Sequence, residues 1–254
     1  MMRIFKSDLY RLFHTTGFWL TLAVTLIAAV VSAANKAIGG ITMGTSALEN
    51  MAAPNWTVYN TARYLSFSTT YLPYVFIGLF VILIGYEFSQ QTYKNTLTAG
   101  IGRWQFIISK NLTLLLTVGV LIALFFFSGV LTSAIAGRPM GAALGKIISR
   151  ILLYTGSQLV GIAAVYALAT VLLVLFHSTV IAAVFIVVFP LFVPGLNSFV
   201  HWSWLKYIDF LSTSQNLTAG ILSNQTLGRF ILVSVLTTII AWLASALILK
   251  NQEL

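Results

Sequence analysis

Few side chains in this sequence are equipped for covalent chemistry. His14, His177 and His201 lie in separate segments, without the close spacing that would pair them on a metal or in a proton relay. Cysteine is absent, which removes thiolate ligands, a cysteine nucleophile and disulfides. The nearest approach to a phosphate-binding loop is Gly141-Ala142-Ala143-Leu144-Gly145-Lys146-Ile147. Its first spacing is one residue short, and Ile147 stands where Ser or Thr would hold magnesium, so a small-residue packing segment is the expected use of this stretch. No Ser-His-Asp arrangement is legible. Glu49 and Asp209 fall between apolar runs and no carboxylate falls in the middle of one, which disfavours an ion-coupled carrier. What remains is recognition. Residues 87–110 hold Glu87, the only acid between Glu49 and Asp209, together with Lys94, Arg103 and Lys110. Gly100 and Gly102 break the stretch, so it predicts a short helix, a turn and the start of a longer helix. On composition, a docking surface and an ordinary solvated loop are equally good readings.

The elements that position this stretch follow from composition. Of 254 residues, 59% are hydrophobic and 7% charged, and the mean hydropathy is +0.95. Soluble domains carry about 25% charged residues. Fourteen basic and five acidic residues cannot coat a water-facing globule of this size, so lipid is the main solvent. A soluble enzyme and a nucleic-acid binder are excluded. The net charge of +9 is scattered singly between apolar runs and reads as membrane topology.

Six runs are long enough to span a bilayer: about 17–34, 67–86, 112–135, 147–176, 180–200 and 227–249. None alternates strictly with period two, which argues against a transmembrane barrel. The expected fold is an all-α membrane protein, with residues 1–254 forming a single domain of six transmembrane helices. Val31-Ser32-Ala33 loosely resembles a signal-cleavage site, but the apolar core before it is long and five more runs follow, so an uncleaved first span is expected. Lysine and arginine tie between the two sets of loops. The basic start before the first span favours N-in and C-in, and Arg138, Lys146 and Arg150 argue against it.

Before the first span, Ile4, Phe5, Leu9, Leu12 and Phe13 recur at helical spacing. This predicts an interfacial amphipathic helix over residues 1–15, with Arg3, Lys6 and Arg11 anchoring it to anionic head groups. In the fourth run, Gly156, Ser157, Gly161, Ala164 and Ala167 predict close helix approach, inside one subunit rather than at a dimer seam. Pro190 and Pro194 should bend or end the fifth helix. In the segment 201–226, Trp202, Trp204 and Tyr207 suit an interfacial aromatic belt.

The segment from Glu87 also carries a resemblance. Glu87, Phe88, Thr92, Lys94, Asn95 and Leu97, then Gly100 and Arg103, then Ser109, Lys110 and Leu112 resemble the signature of ABC type-2 exporter permeases. Gln91 stands where that family usually has Gly, and Ile101 where it often has Pro. The amphipathic start, the six-span plan and the tail Lys250-Asn251-Gln252-Glu253-Leu254 extend the likeness over the whole chain. The small size is most similar to permeases of bacterial peptide exporters of the lantibiotic-immunity and phenol-soluble-modulin kind. The resemblance implies a subunit of the bacterial cytoplasmic membrane that binds no cofactor itself and pairs with a second permease, identical or related. Two ABC ATPase subunits would carry ATP and magnesium. Residues 92–100 would form the coupling helix, with Glu87, Thr92, Lys94, Asn95, Leu97, Arg103 and Lys110 serving the contact with the ATPase. Residues 201–226 would form re-entrant helices at the exit. The implied cargo is an amphipathic or hydrophobic peptide. Export of drugs or lipids, or a sensor or channel module without an ATPase, are the alternatives.

Overall fold

A bilayer core leaves no water to bond backbone groups, so a chain this apolar satisfies its backbone within helices. The computed structural model describes residues 2–41, 55–200, 202, 204–219 and 223–251. Glu49, His201 and Glu253 lie outside the described residues. Among the described residues every regular element is helical, and six stretches are long and apolar enough to cross a membrane. The amphipathic helix α1 (Met2–Phe13) precedes the first span, α2 (Thr16–Ala34). The second span is interrupted: α3 (Val58–Ser68), a 3-10 turn (Thr69–Tyr71), α4 (Leu72–Val75), α5 (Ile77–Phe80), a π-helical stretch (Val81–Gly85) and α6 (Tyr86–Ser89). The short helix α7 (Tyr93–Thr98) leads into the third span, α8 (Arg103–Ile135). The fourth is α9 (Leu144–Phe176) and the fifth is α10 (Thr179–Val200). A 3-10 turn (Leu205–Tyr207) and α11 (Phe210–Ala219) precede the sixth, α12 (Asn224–Asn251).

The breaks in the second span have local causes. Pro73 supplies no N–H, and the surrounding hydroxyls offer the backbone other partners. Ser66 donates to the carbonyl of Arg63, and Thr70 to that of Phe67. Tyr166 of the fourth span donates to the Pro73 carbonyl at 2.7 Å, supplying from a neighbouring helix a bond the broken helix lacks. Of the two outcomes expected at its prolines, the fifth span does not end there but continues through Pro190 and Pro194. Prolines are tolerated inside spans because neighbouring helices and local adjustments re-satisfy the freed carbonyls.

The spans pair chiefly as first with third and fourth with sixth, around a core that includes Phe76, Phe80, Phe125, Phe126 and Tyr166. Two of the basic residues that complicate the topology have structural tasks at the end of the bundle away from α7. Arg138 donates to the carbonyls of Ala33 and Ala34, where a cation complements the C-terminus of α2, and it lies over the Trp56 ring. Arg150 stacks on Tyr59 at 3.5 Å and reaches the Asn60 side-chain oxygen.

Candidate coupling site

At the near end, three separate elements bring charge together. Glu87 is on α6, Lys110 two turns into α8, and Asp8 on α1; all three side chains are buried. Lys110 Nζ lies 2.6 Å from Asp8 Oδ1 and 2.5 Å from Glu87 Oε1. Arg11, one turn beyond Asp8, places Nη1 at 2.8 Å from the same Glu87 oxygen. Its Nη2 donates to the carbonyls of Ile82 and Leu83, within the π-helical stretch. The four groups balance as two acids and two bases, the condition under which buried charge is tolerated. Burial still pushes the Asp8 carboxyl above its usual range, with Lys110 pulling it back.

The buried face of α1 is therefore rotated from the apolar stripe read in the sequence. Ile4, Asp8 and Leu12 face the protein, while Phe13 is half exposed. Arg11, expected as an interfacial anchor, reaches instead into the second span. Lys6 is exposed, and the Arg3 side chain is outside the described ones.

Below the cluster, α7 is held by its own two apolar residues. Tyr93 stacks on Phe88 with centroids 4.8 Å apart, and Leu97 is buried. Thr92, Asn95 and Thr98 are exposed and Lys94 is half-buried, so this side of α7 is open to a partner. Gly100 ends the segment at φ +87°, a conformation that suits glycine. Gln91, at the position where Gly was expected from the resemblance, takes φ +56°, the left-handed region in which glycine is cheaper. Arg103 donates to the carbonyl of Lys250, tying the start of α8 to the end of α12.

Asp8 and His177 complete the site, and sequence reasoning did not assign them to it. His177 forms the tight turn between the fourth and fifth spans at φ +52°, and its Nε2 lies 3.3 Å from the Tyr93 hydroxyl. Its partner is 84 residues away, so no local signal could have found it. For Asp8 a signal existed: it shares a helical stripe with Ile4 and Leu12.

The family model described as ABC-2 family transporter protein matches residues 7–194, that is 188 of the 254 residues. The chain belongs to the ABC-2 transporter family. No curated protein matches it. Within the matched stretch of this ABC-2 transporter protein lie the first four spans, most of the fifth, and the whole near-end cluster. The chain is thus an integral membrane protein and a transmembrane component of an ABC transporter, a family whose membrane subunits are transport subunits.

At the far end of the ABC-2 protein, Trp202 and Trp204 are stacked and half exposed. Arg229 donates to the Tyr207 hydroxyl, which lowers that phenol's pKa. Asp209 is buried and caps α11 by accepting the Ser212 N–H at 2.8 Å. Burial raises its carboxyl above the usual 3.8, while the bonds from Ser212 oppose the shift. The native protein therefore holds this proton longer than the unfolded chain. Asp209's contribution to stability is present below about pH 3.8 and falls as pH rises through the raised value. D209N, which keeps the acceptor, is expected to remove that slope in thermal unfolding in detergent. D209A is expected to cost about 1 kcal/mol as a lost cap.

Proposed function

We propose that this ABC-2 protein is the permease of a bacterial exporter for amphipathic or hydrophobic peptides, embedded in the cytoplasmic membrane with both termini inside. Two permeases, identical or related, work with two ATPase subunits that bind ATP and magnesium. The observation that carries the reading is α7: a helix fixed from behind by Tyr93 and Leu97, with Thr92 and Asn95 exposed and Lys94 beside them. Each ATPase seats α7, and movement of α7 reaches the spans through rigid contacts. Phe88 and Glu87 lead into the second span, Lys110 into the third, His177 into the fourth and fifth, and Arg103 into the sixth. Glu87 and Lys110 act as positioning residues within this relay, and Leu97 as an anchor. The intramolecular engagement of Arg138 and Arg150 removes two of the three cations that weighed against the N-in orientation. Among the described residues the one acid within a span, Glu87, is paired, and with the apolar core this suits an apolar cargo.

The test is co-purification and peptide export with the cognate ATPase after K94E/N95R. Loss of co-purification and at least about a tenfold fall in export, with thermal stability unchanged, is the expected result for two residues at the centre of an interface. Wild-type export by this variant would end the coupling role of α7. Wild-type coupling with no peptide transported would keep that role and reject the cargo.

A further inference from the structure

An apolar groove of about 370 Å³ lies between α1, α2 and α8, beside the flank of α1 that carries the ion cluster and sharing Leu12 with it. That size is within the range of small-molecule sites, about 300–1,000 Å³. It follows the third span from Leu116 to Leu124, a rise of about 12 Å at 1.5 Å per residue. Its wall offers no free polar group. The Thr117 hydroxyl donates to the Thr113 carbonyl, and the Trp19 indole donates to the Phe13 carbonyl. A cavity so lined does not hold water. Its rim is formed by Phe13, Trp19, Leu116 and Val120, each about half exposed. Trp19, Leu116 and Val120 are on spans, whose exposed apolar faces meet acyl chains. The groove therefore opens into the hydrocarbon phase.

The stripe of α1 that carries two of the lining residues also carries a charge. Lys6 is exposed and lies at i, i+3 and i+7 to Leu9 and Phe13, so it shares their stripe on α1. Among the described residues it has no ion-pair partner. An elongated apolar slot open to lipid, with a cation on the same stripe of α1 as two of its lining residues, matches a two-part ligand with an anionic head and an alkyl tail.

We propose that this groove binds an anionic glycerophospholipid from the leaflet on the α7 side, one acyl chain along α8 and the phosphate at Lys6. Because Leu12 lines the groove and shares its stripe on α1 with Asp8, the bound chain packs α1 beside the cluster and holds Asp8 and Arg11 against Glu87 and Lys110. The site thereby links the composition of that leaflet to the geometry of the near end. It depends on neither the cargo nor the ATPase, and a failed peptide assay leaves it standing.

The experiment uses the full chain in vesicles with neither peptide nor ATPase, probed with phosphatidylglycerol carrying a photoreactive acyl chain. Labelling is expected on the peptides containing Phe13–Leu22 and Leu116–Leu124. V120W, which fills the groove, is expected to lose most of it. Its melting temperature in lipid-free detergent serves as the folding control, and L116W on the same rim carries the test if V120W melts early. K6Q should weaken phosphatidylglycerol binding about fivefold, the worth of one cation at an anionic surface. Phosphatidylcholine with the same chains should be about fivefold weaker on the wild type for the same reason. Equal labelling of the wild type and a folded groove-filled variant would overturn the acyl-chain site. Equal binding of phosphatidylglycerol by the wild type and K6Q would overturn the phosphate seat, and equal affinity for the two lipids would overturn the preference for an anionic head.

Discussion

K110M is expected to destabilise the protein by about 3–5 kcal/mol, the cost of breaking a buried ion pair by removing one partner. Lys110 bridges Asp8 and Glu87, and removing it leaves two carboxylates beneath the protein surface facing only Arg11. Arg11 cannot serve as a full substitute, because its side chain is 40% exposed and its Nη2 is already occupied by the Ile82 and Leu83 carbonyls. Water screens part of whatever attraction it offers. The size of the loss comes from stranded charge, not from a missing attraction, and this makes the claim separable from ordinary damage. D8N/E87Q/K110M neutralises all three buried members, and the remaining Arg11 can turn to water. This triple variant should recover most of what K110M alone loses. Denaturant or thermal unfolding in a mild detergent reads both. A loss under about 1 kcal/mol for K110M would mean the cluster is hydrated and contributes little. In the transport assay the triple variant should fold yet export poorly, since the relay between α1, the second span and the third is then gone.

The second large effect is expected at Gly161. A Cβ there would overlap the Phe210 ring, 2.7 Å from Cε2, and stand 3.3 Å from Phe230. A ring at the start of α11 cannot retreat as the end of a flexible chain can, so α11 must lift off the fourth span. That movement also pulls at Ser214, which accepts a hydrogen bond from Gln158 at 2.7 Å and donates to the Ser66 carbonyl. Overpacking and a weakened buried bond together put G161V at about 3 kcal/mol. Gly156 supplies the internal control. It belongs to the same small-residue stretch, but a Cβ there meets nothing within 4 Å. G156A should therefore stay within about 0.5 kcal/mol of wild type. F210L in the G161V background should restore part of the loss. Equal effects at 156 and 161 would contradict close approach as the cause.

These two positions mark how far the sequence could be read. Small residues in the fourth run predicted close helix approach, but they could not say which glycine is covered. Gly161 is filled by Phe210, 49 residues further along the chain, and Gly156 is not. The resemblance to type-2 exporter permeases implied that Glu87 and Lys110, with Lys94, serve the contact with a partner. Glu87 and Lys110 turned inward, since a carboxylate and an ammonium at the edge of the hydrocarbon find each other more cheaply than either remains unpaired. Lys94 and Asn95, on the side of α7 away from Tyr93 and Leu97, are left available.

By itself the sequence determined that this chain spans a membrane six times, that an amphipathic helix precedes the first span, and that a short helix and a glycine turn sit between the second and third. Those features depend on the length of apolar runs, on helical spacing and on residues that break helices, all written locally in the chain. The tertiary structure alone decided that Asp8, Arg11, Glu87 and Lys110 form one neutral cluster, that α1 is rotated to supply it, and that His177 meets Tyr93. Whether a charge is exposed, or is buried and paired, depends on which distant helices enclose it. Here the partners lie between 23 and 102 residues apart, and local spacing carries no information about such meetings.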